Sequence, residues 1–238
     1  MTKLTFDPKL HAYRLGGKPI TGCTTILNVI AKPFLIPWAA NMAVDYIEAK
    51  EKEAEGLGLA KETLQEARKA HAQKRDKAGD IGKEVHRWAE QYIKSLMGNK
   101  NNAKVHTLLI DNQQLQKMSQ NFINWAKENK VKFLASEKQV YSEKYFFCGT
   151  YDFLAEIDGK TYLGDIKTTS NIYPEHFIQC AGYQICEEEL NPKLKIDGHI
   201  VVNLSKDGKI KTQTNYDVVG YKRLFLAALV LYRGLFQK

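Results

Sequence analysis

Two aspartates and a lysine stand in the stretch Gly149-Thr-Tyr-Asp152…Asp158-Gly159…Gly164-Asp165-Ile-Lys167-Thr168-Thr169. Asp158-Gly159 separates two runs rich in β-branched and aromatic residues, the signature of a two-residue hairpin turn. That turn sets Ile157 against Lys160, and counting outward in step sets Asp152 against Asp165. Directly opposed residues hold their Cβ atoms about 4.5–5.5 Å apart on one sheet face. Lys167, two residues past Asp165, returns to that face. The register predicts a cluster of two carboxylates and one ammonium.

Such a cluster has a definite chemistry. Two adjacent carboxylates repel, and one resists ionising unless a cation joins them. Mg²⁺ is typically held by one or two carboxylates together with waters and substrate phosphate. There it polarises a phosphoryl oxygen and acidifies water. Lys167 would orient or deprotonate the attacking water, or offset charge on the scissile phosphate. By residue type alone, a surface Asp–Lys pair on an exposed strand accounts for the same letters.

Two flanking motifs weigh against that plainer account. In Gly82-Lys-Glu-Val-His86, Gly82, His86 and Glu90 fall on one helix face. His86 also borders the Val85/Trp88/Tyr92 apolar stripe, which suits a core histidine equally well. In Gln179-Cys-Ala-Gly-Tyr183 the outer residues are again four apart, beside Ile178, Ala181 and Ile185. With Gly149, Asp152, Asp165, Lys167 and Thr168, these ordered motifs resemble the RecB-like branch of the PD-(D/E)XK nuclease superfamily. Pro19-Ile-Thr-Gly-Cys-Thr-Thr25-Ile-Leu27 followed by Trp38, and Ile200-Val-Val-Asn-Leu-Ser-Lys-Asp-Gly208, are similar to the mitochondrial genome maintenance exonuclease group and its compact phage-type relatives. Gly22-Cys23 departs from that group's pattern.

The resemblance implies an α/β fold: a restriction-endonuclease-like core whose central mixed sheet is flanked by helices, with a helical N-terminal elaboration. It implies a Mg²⁺-dependent deoxyribonuclease, with Mn²⁺ able to substitute, and a place in DNA repair or recombination. Single-stranded DNA with free ends is the expected substrate, in the cytoplasm of a bacterium or phage-infected cell. An endonuclease of the same chemistry and a non-catalytic nucleic-acid-binding module are the alternatives. Asp152, Asp165, the Ile166 carbonyl and His86 would hold the metal. Catalysis would fall to Asp152, Asp165 and Lys167 with Gln179, and with Glu137, which resembles the acidic residue preceding the first aspartate. Glu143 and Glu156 are the substitutes for Glu137. Tyr183, Thr168 and Thr169 would contact DNA, as would Lys69, Lys74 and Arg75 in a basic arm over 60–77. Trp38, Trp88, Tyr173 and Tyr183 are candidates for stacking on bases.

The elements that must position these residues are legible as periodicities. A hairpin around Gly16-Gly17 opens the chain, and Thr24 or Thr25 would cap a short helix through Ile26, Leu27 and Ile30. Pro37 suits the first turn of a helix through Trp38, Met42 and Tyr46. Gly56-Leu57-Gly58 breaks it, and beyond the charged stretch Gly79 and Gly82 punctuate the chain. Val85, Trp88, Tyr92 and Leu96 mark a helix from Ile81 ending near Gly98, with a polar turn over 99–102. A second helix covers 112–129, then strands 133–141, 146–157 and 160–167. A helix from Pro174 closes at Asn191-Pro192, before a strand over 196–204, a turn at 206–209 and a last helix over 221–236. The expected division is a helical arm over 1–78 and a core over 79–238.

Composition bounds the rest. The 238 residues are 44% apolar and 26% charged, which is globular rather than disordered, collagen-like or disulfide-dense. Thirty-five Lys and Arg against 27 Asp and Glu leave +8, a surplus that suits a polyanionic partner and is common without one. No apolar run approaches the roughly 18 residues of a membrane span, and the N-terminus lacks a signal-peptide pattern. Cys23, Cys148, Cys180 and Cys186 form no CxxC pair and read as reduced, buried thiols of a cytosolic protein. Cys180 and Cys186 fall within the Gln/Tyr helix, so neither zinc nor an iron–sulfur cluster is expected.

Overall fold

Asp158 and Gly159 adopt φ of +49° and +73°, the two left-handed residues that a type I′ turn requires. Around that turn strands β5 (Phe147–Ile157) and β6 (Lys160–Lys167) pair in the expected register, from Ile157↔Lys160 through Phe153↔Gly164. The computed structural model describes residues 3–7, 10, 12–33, 35–53, 61–98 and 112–237. The expected break at Gly56-Leu57-Gly58 and the polar turn over 99–102 lie outside them. The architecture is α/β, with a mixed eight-stranded sheet flanked by helices.

The chain opens with strands β1 (Leu4–Asp7), β2 (Ala12–Leu15) and β3 (Lys18–Gly22), a meander that turns at Gly16-Gly17. Helix α1 (Cys23–Ile26) comes directly after it. Its N-cap is Gly22, with no side-chain cap, so neither Thr24 nor Thr25 serves as one. Helices α2 (Leu35–Glu53) and α3 (Lys61–Met97) come next, then α4 (Gln113–Glu128), capped by the Asn112 side chain. Strand β4 (Lys132–Ser142) precedes β5 and β6. Helix α5 (Pro174–Leu190), strands β7 (Gly198–Leu204) and β8 (Ile210–Asn215), and helix α6 (Val218–Phe236) complete the order.

The chain divides into two compact units, one of residues 1–30 with 84–238 and one of residues 31–83. The division expected at 78/79 therefore falls differently, because residues 4–22 are strands of the sheet and not part of a helical arm. Gly79 and Gly82 do not interrupt α3 either. A helical glycine costs only about 1 kcal/mol against alanine, and the long run on both sides outweighs it. In the second unit the Trp38 ring meets His71 edge-on at 6.4 Å, and the Tyr46 hydroxyl donates to Glu66 at 2.5 Å.

In the first unit the sheet order is β1-β2-β3-β5-β6-β7-β8, with β4 on the far edge of β5. Val140, Phe147, Tyr151, Leu154 and Leu163 pack on one face against α1, α5 and α6, with Cys180, Tyr183 and Phe225. On the other face Phe133 and Phe153 meet an aromatic cluster of Trp88, Tyr92, Phe122 and Trp125 from α3 and α4. Trp88 is a core residue there, 8% exposed, and not a free stacking platform. Among the described residues no helix is long and apolar enough to cross a membrane.

Candidate functional site

The middle of β5 breaks two rules of a regular sheet. Strand β3 runs parallel to β5 and pairs only at Phe147 and Cys148, while β6 runs antiparallel and pairs from Phe153 onward. Both use the edge opposite β4, so their carboxyl ends converge on the stretch Gly149–Asp152 and neither strand completes it. Crevices at carboxyl ends where neighbouring strands part are where open α/β sheets bind ligands. Alternation also fails here. Tyr151 and Leu154 pack toward α5 and α6, whereas Asp152 meets His86 of α3 and Phe153 meets α4. On the partner strand Glu137 has φ +46°, a left-handed conformation rare for a glutamate and associated with functional sites. Its neighbours Ser136 and Lys138 pair with Phe153 and Tyr151, which leaves Glu137 at the level of Asp152.

Three of the expected residues meet on the α3 side. His86 Nδ1 lies 3.2 Å from Asp152 Oδ1 and 4.0 Å from Glu137 Oε1. The ligand atoms of all three fall within 4.8 Å of one another. Asp152 Oδ2 accepts the Ile166 amide N–H at 2.5 Å, so a side chain stands in for the missing ladder bond. The contact at Ile166 is thus made by its N–H, on the same residue whose carbonyl is the expected ligand.

The others meet across the opening, toward α5. Lys167 Nζ donates to Asp165 Oδ1 at 2.9 Å and to Gln179 Oε1 at 3.1 Å. Gln179 Nε2 donates to the Tyr183 hydroxyl at 2.6 Å and to Thr24 Oγ1 at 3.1 Å. Asp165 Oδ2 is buried and has no hydrogen-bond partner among the described residues.

The electrostatics are those of crowded carboxylates. Asp152 raises the His86 imidazole to about 9 against the opposition of burial. Burial, with Asp152 next, pushes Glu137 up to about 7, and burial also lifts Asp165 to about 6 although Lys167 opposes it. Burial works against the Asp152 carboxylate, yet His86 and Lys167 hold it below the ordinary range. Burial would lower the Lys167 ammonium, but Asp165 and Asp152 outweigh it and keep it charged.

These residues fit a hard divalent cation. The donors are carboxylate oxygens and one imidazole, and Asp165 Oδ2 is a buried acceptor that no described residue satisfies. His86 must shed its proton to act as a ligand, so binding would release it.

The remaining expected residues take varied places. Glu137 does face the cluster; the Glu143 amide donates to Glu189 at a turn, and Glu156 pairs with Lys132. Tyr183 is 4% exposed and buttresses Gln179 from inside. Thr168 is half-buried just past β6, and Thr169 is fixed by Asn203, whose amide accepts its N–H at 3.0 Å and donates to its carbonyl at 2.9 Å. Asn203 lies within the Ile200–Gly208 motif, which gives it no role of its own. It is fully buried in an apolar run of β7, and an amide in such a run is the only signal that marks it. Lys69, Lys74 and Arg75 are exposed on α3 within the second unit, with Lys74 donating to Met42 Sδ and Arg75 paired to Asp76. All four cysteines are buried. No family model and no curated protein matches the chain. The solved structure described as "Crystal structure of SSO0001" aligns over 62% of this chain and 70% of that one, at 15% identity and a TM-score of 0.32, a likeness that carries no argument about function.

Proposed function

We propose that this chain is a metal-dependent deoxyribonuclease of the RecB-like PD-(D/E)XK kind, an exonuclease that hydrolyses phosphodiester bonds of single-stranded DNA from a free end, in the cytoplasm of a bacterium or phage-infected cell. The observation that carries it is the His86–Glu137–Asp152 cluster, with Asp165 near enough to feel the Asp152 charge, Lys167 bonded to Asp165 and, among the described residues, one Asp165 oxygen without a partner. His86, Glu137 and Asp152 would hold Mg²⁺ or Mn²⁺, with Asp165 Oδ2 the acceptor left to complete the set. When bound, the ion supplies Lewis-acid polarisation of a phosphoryl oxygen.

The chain's own groups do the rest. Lys167, held by Asp165 and Gln179, presents a fixed positive charge where the phosphate accumulates negative charge, and its remaining N–H can orient a water. The Ile166 N–H keeps Asp152 Oδ2 occupied, so Asp152 Oδ1 alone is turned toward His86. Preference for a free end rests on the likeness to the genome-maintenance exonuclease group.

The test is a panel of end-labelled linear strands and a covalently closed circle of one sequence, with Mg²⁺, Mn²⁺ or chelator. Linear strands should be degraded with metal only, and the circle should survive. Asp152→Asn and Asp165→Ala should each abolish cleavage while leaving DNA binding largely intact. Cutting of the circle would make the enzyme an endonuclease, and metal-dependent cleavage by either variant would sink the site.

A further inference from the structure

We infer that Thr24 is a positioning residue of this site, fixing the Gln179 amide and, through it, the Lys167 ammonium; the inference rests on the nuclease reading and deepens it. Gln179 has one acceptor oxygen and two N–H donors. The oxygen takes Lys167 Nζ, and the two donors go to the Tyr183 and Thr24 hydroxyls. Both hydroxyls would accept or donate equally well, so they are indifferent to a flip of the amide. Lys167, with donors only, is not: it sets the amide's orientation, and the hydroxyls hold the amide in place.

The two supports differ in kind. Tyr183 is buried, packed so closely over Gly149 that a Cβ there would lie 2.4 Å from Tyr183 Cε1. It cannot move without disturbing the core. Thr24 is exposed, at the start of α1, and its hydroxyl is not spent on capping that helix. An exposed hydrogen bond competes with water, and the same bond strengthens when a ligand displaces the water. A strand seated over the opening would dry the Thr24–Gln179 bond and so tighten the hold on Lys167 when the substrate is in place. The contribution of Thr24 then falls on turnover rather than on affinity.

The test compares Thr24→Val, which keeps the shape and loses the hydroxyl, with Thr24→Ser, which restores it, and Thr25→Val, the same change one residue on. Thr24→Val should lower kcat roughly tenfold, the worth of about one hydrogen bond, with KM within about twofold. Thr24→Ser should recover most of the loss, and Thr25→Val should match the wild type. In a Gln179→Ala background, Thr24→Val should add little, because the residue through which it acts is gone. An equal loss in that background, or a change confined to KM, would overturn the inference. If the wild type cleaves no DNA, the nuclease reading fails by itself, and the side-chain amide protons of Gln179 in the metal-free protein still decide the matter. They should shift and exchange faster with solvent in Thr24→Val but not in Thr24→Ser. Unchanged Gln179 resonances in Thr24→Val would refute the positioning role.

Discussion

His86 carries the proton that lets Asp152 and Glu137 share one corner of the site. Without it two carboxylates would face each other across β4 and β5, with the Lys167 charge left to offset Asp152 and the Lys94 charge Glu137. A divalent ion would take over that duty with twice the charge. His86→Ala should therefore raise the metal concentration for half-maximal activity about tenfold or more, an effect of the size seen when a metal ligand or its support is lost. A Mn²⁺ titration of variant and wild type checks it, and an unchanged midpoint in a merely less stable variant would make His86 a core histidine. Lys167 acts elsewhere in the cycle. Lys167→Ala should cut kcat by about 10²–10³-fold and leave DNA affinity within a few fold, as for a group that meets charge only in the transition state. Equal losses in kcat and affinity would assign Lys167 to binding instead.

At the scale of elements, the site depends on a helix and a strand packed closer than side chains normally permit. Gly149→Ala would drive a methyl into the Tyr183 ring, 2.4 Å from Cε1, and Tyr183 bears on Gln179 and so on Lys167. The expected cost is about 1–3 kcal/mol of stability, the usual range for overpacking, with a loss of turnover in the surviving folded fraction. Thermal melts and active-site-normalised rates measure the two separately; a variant as stable and active as the wild type would contradict the packing. The β5–β6 register is legible in the sequence because Asp158-Gly159 permits one turn type and the pairing comes by counting. The helices α4, α5 and α6 are legible from spacing and punctuation. Strand β8, Ile-Lys-Thr-Gln-Thr-Asn, is not, since a polar edge strand has no apolar alternation to betray it. Nor is the reversal at Glu137 and Asp152, where tertiary contacts with α3 override alternation. The ladder itself ends at Phe153↔Gly164, so the expected Asp152–Asp165 pair does not form, and the same reversal is why counting cannot show that Glu137 joins Asp152.

For the molecule as a whole, acid is the condition that should unfold it first. His199 is buried in β7, its Nε2 bonded to the Gln184 carbonyl oxygen at 2.7 Å, with Lys222 nearby through Glu188. Burial, with the Lys222 charge second, holds His199 down to about 4, so the fold keeps it neutral. In the unfolded chain it takes up a proton as pH falls through its ordinary value of 6.5. Its contribution is thus fully present above pH 6.5 and is lost progressively as pH falls toward 4, about 3 kcal/mol in all. Urea melts across that window should show a shallower acid dependence for His199→Gln than for the wild type. Parallel slopes would show that His199 does not govern it.

The convergence of β3 and β6 on one edge of β5 also fixes a timetable. Thr24 and Gln179 lie 155 residues apart in the chain. At about 5–20 residues per second of synthesis, the first half of the site waits roughly 8–30 s for the second. For most of that wait Leu15 and Ile20 have no β5 to cover them, and no partial chain that stops short of β6 can bring Asp165 and Lys167 to Glu137 and Asp152. On the nuclease reading, a site assembled so late would keep the chain harmless while it is being made. Pulse proteolysis of stalled nascent chains should find β1–β3 unprotected until β5 has emerged; protection at shorter lengths would show that the meander folds alone.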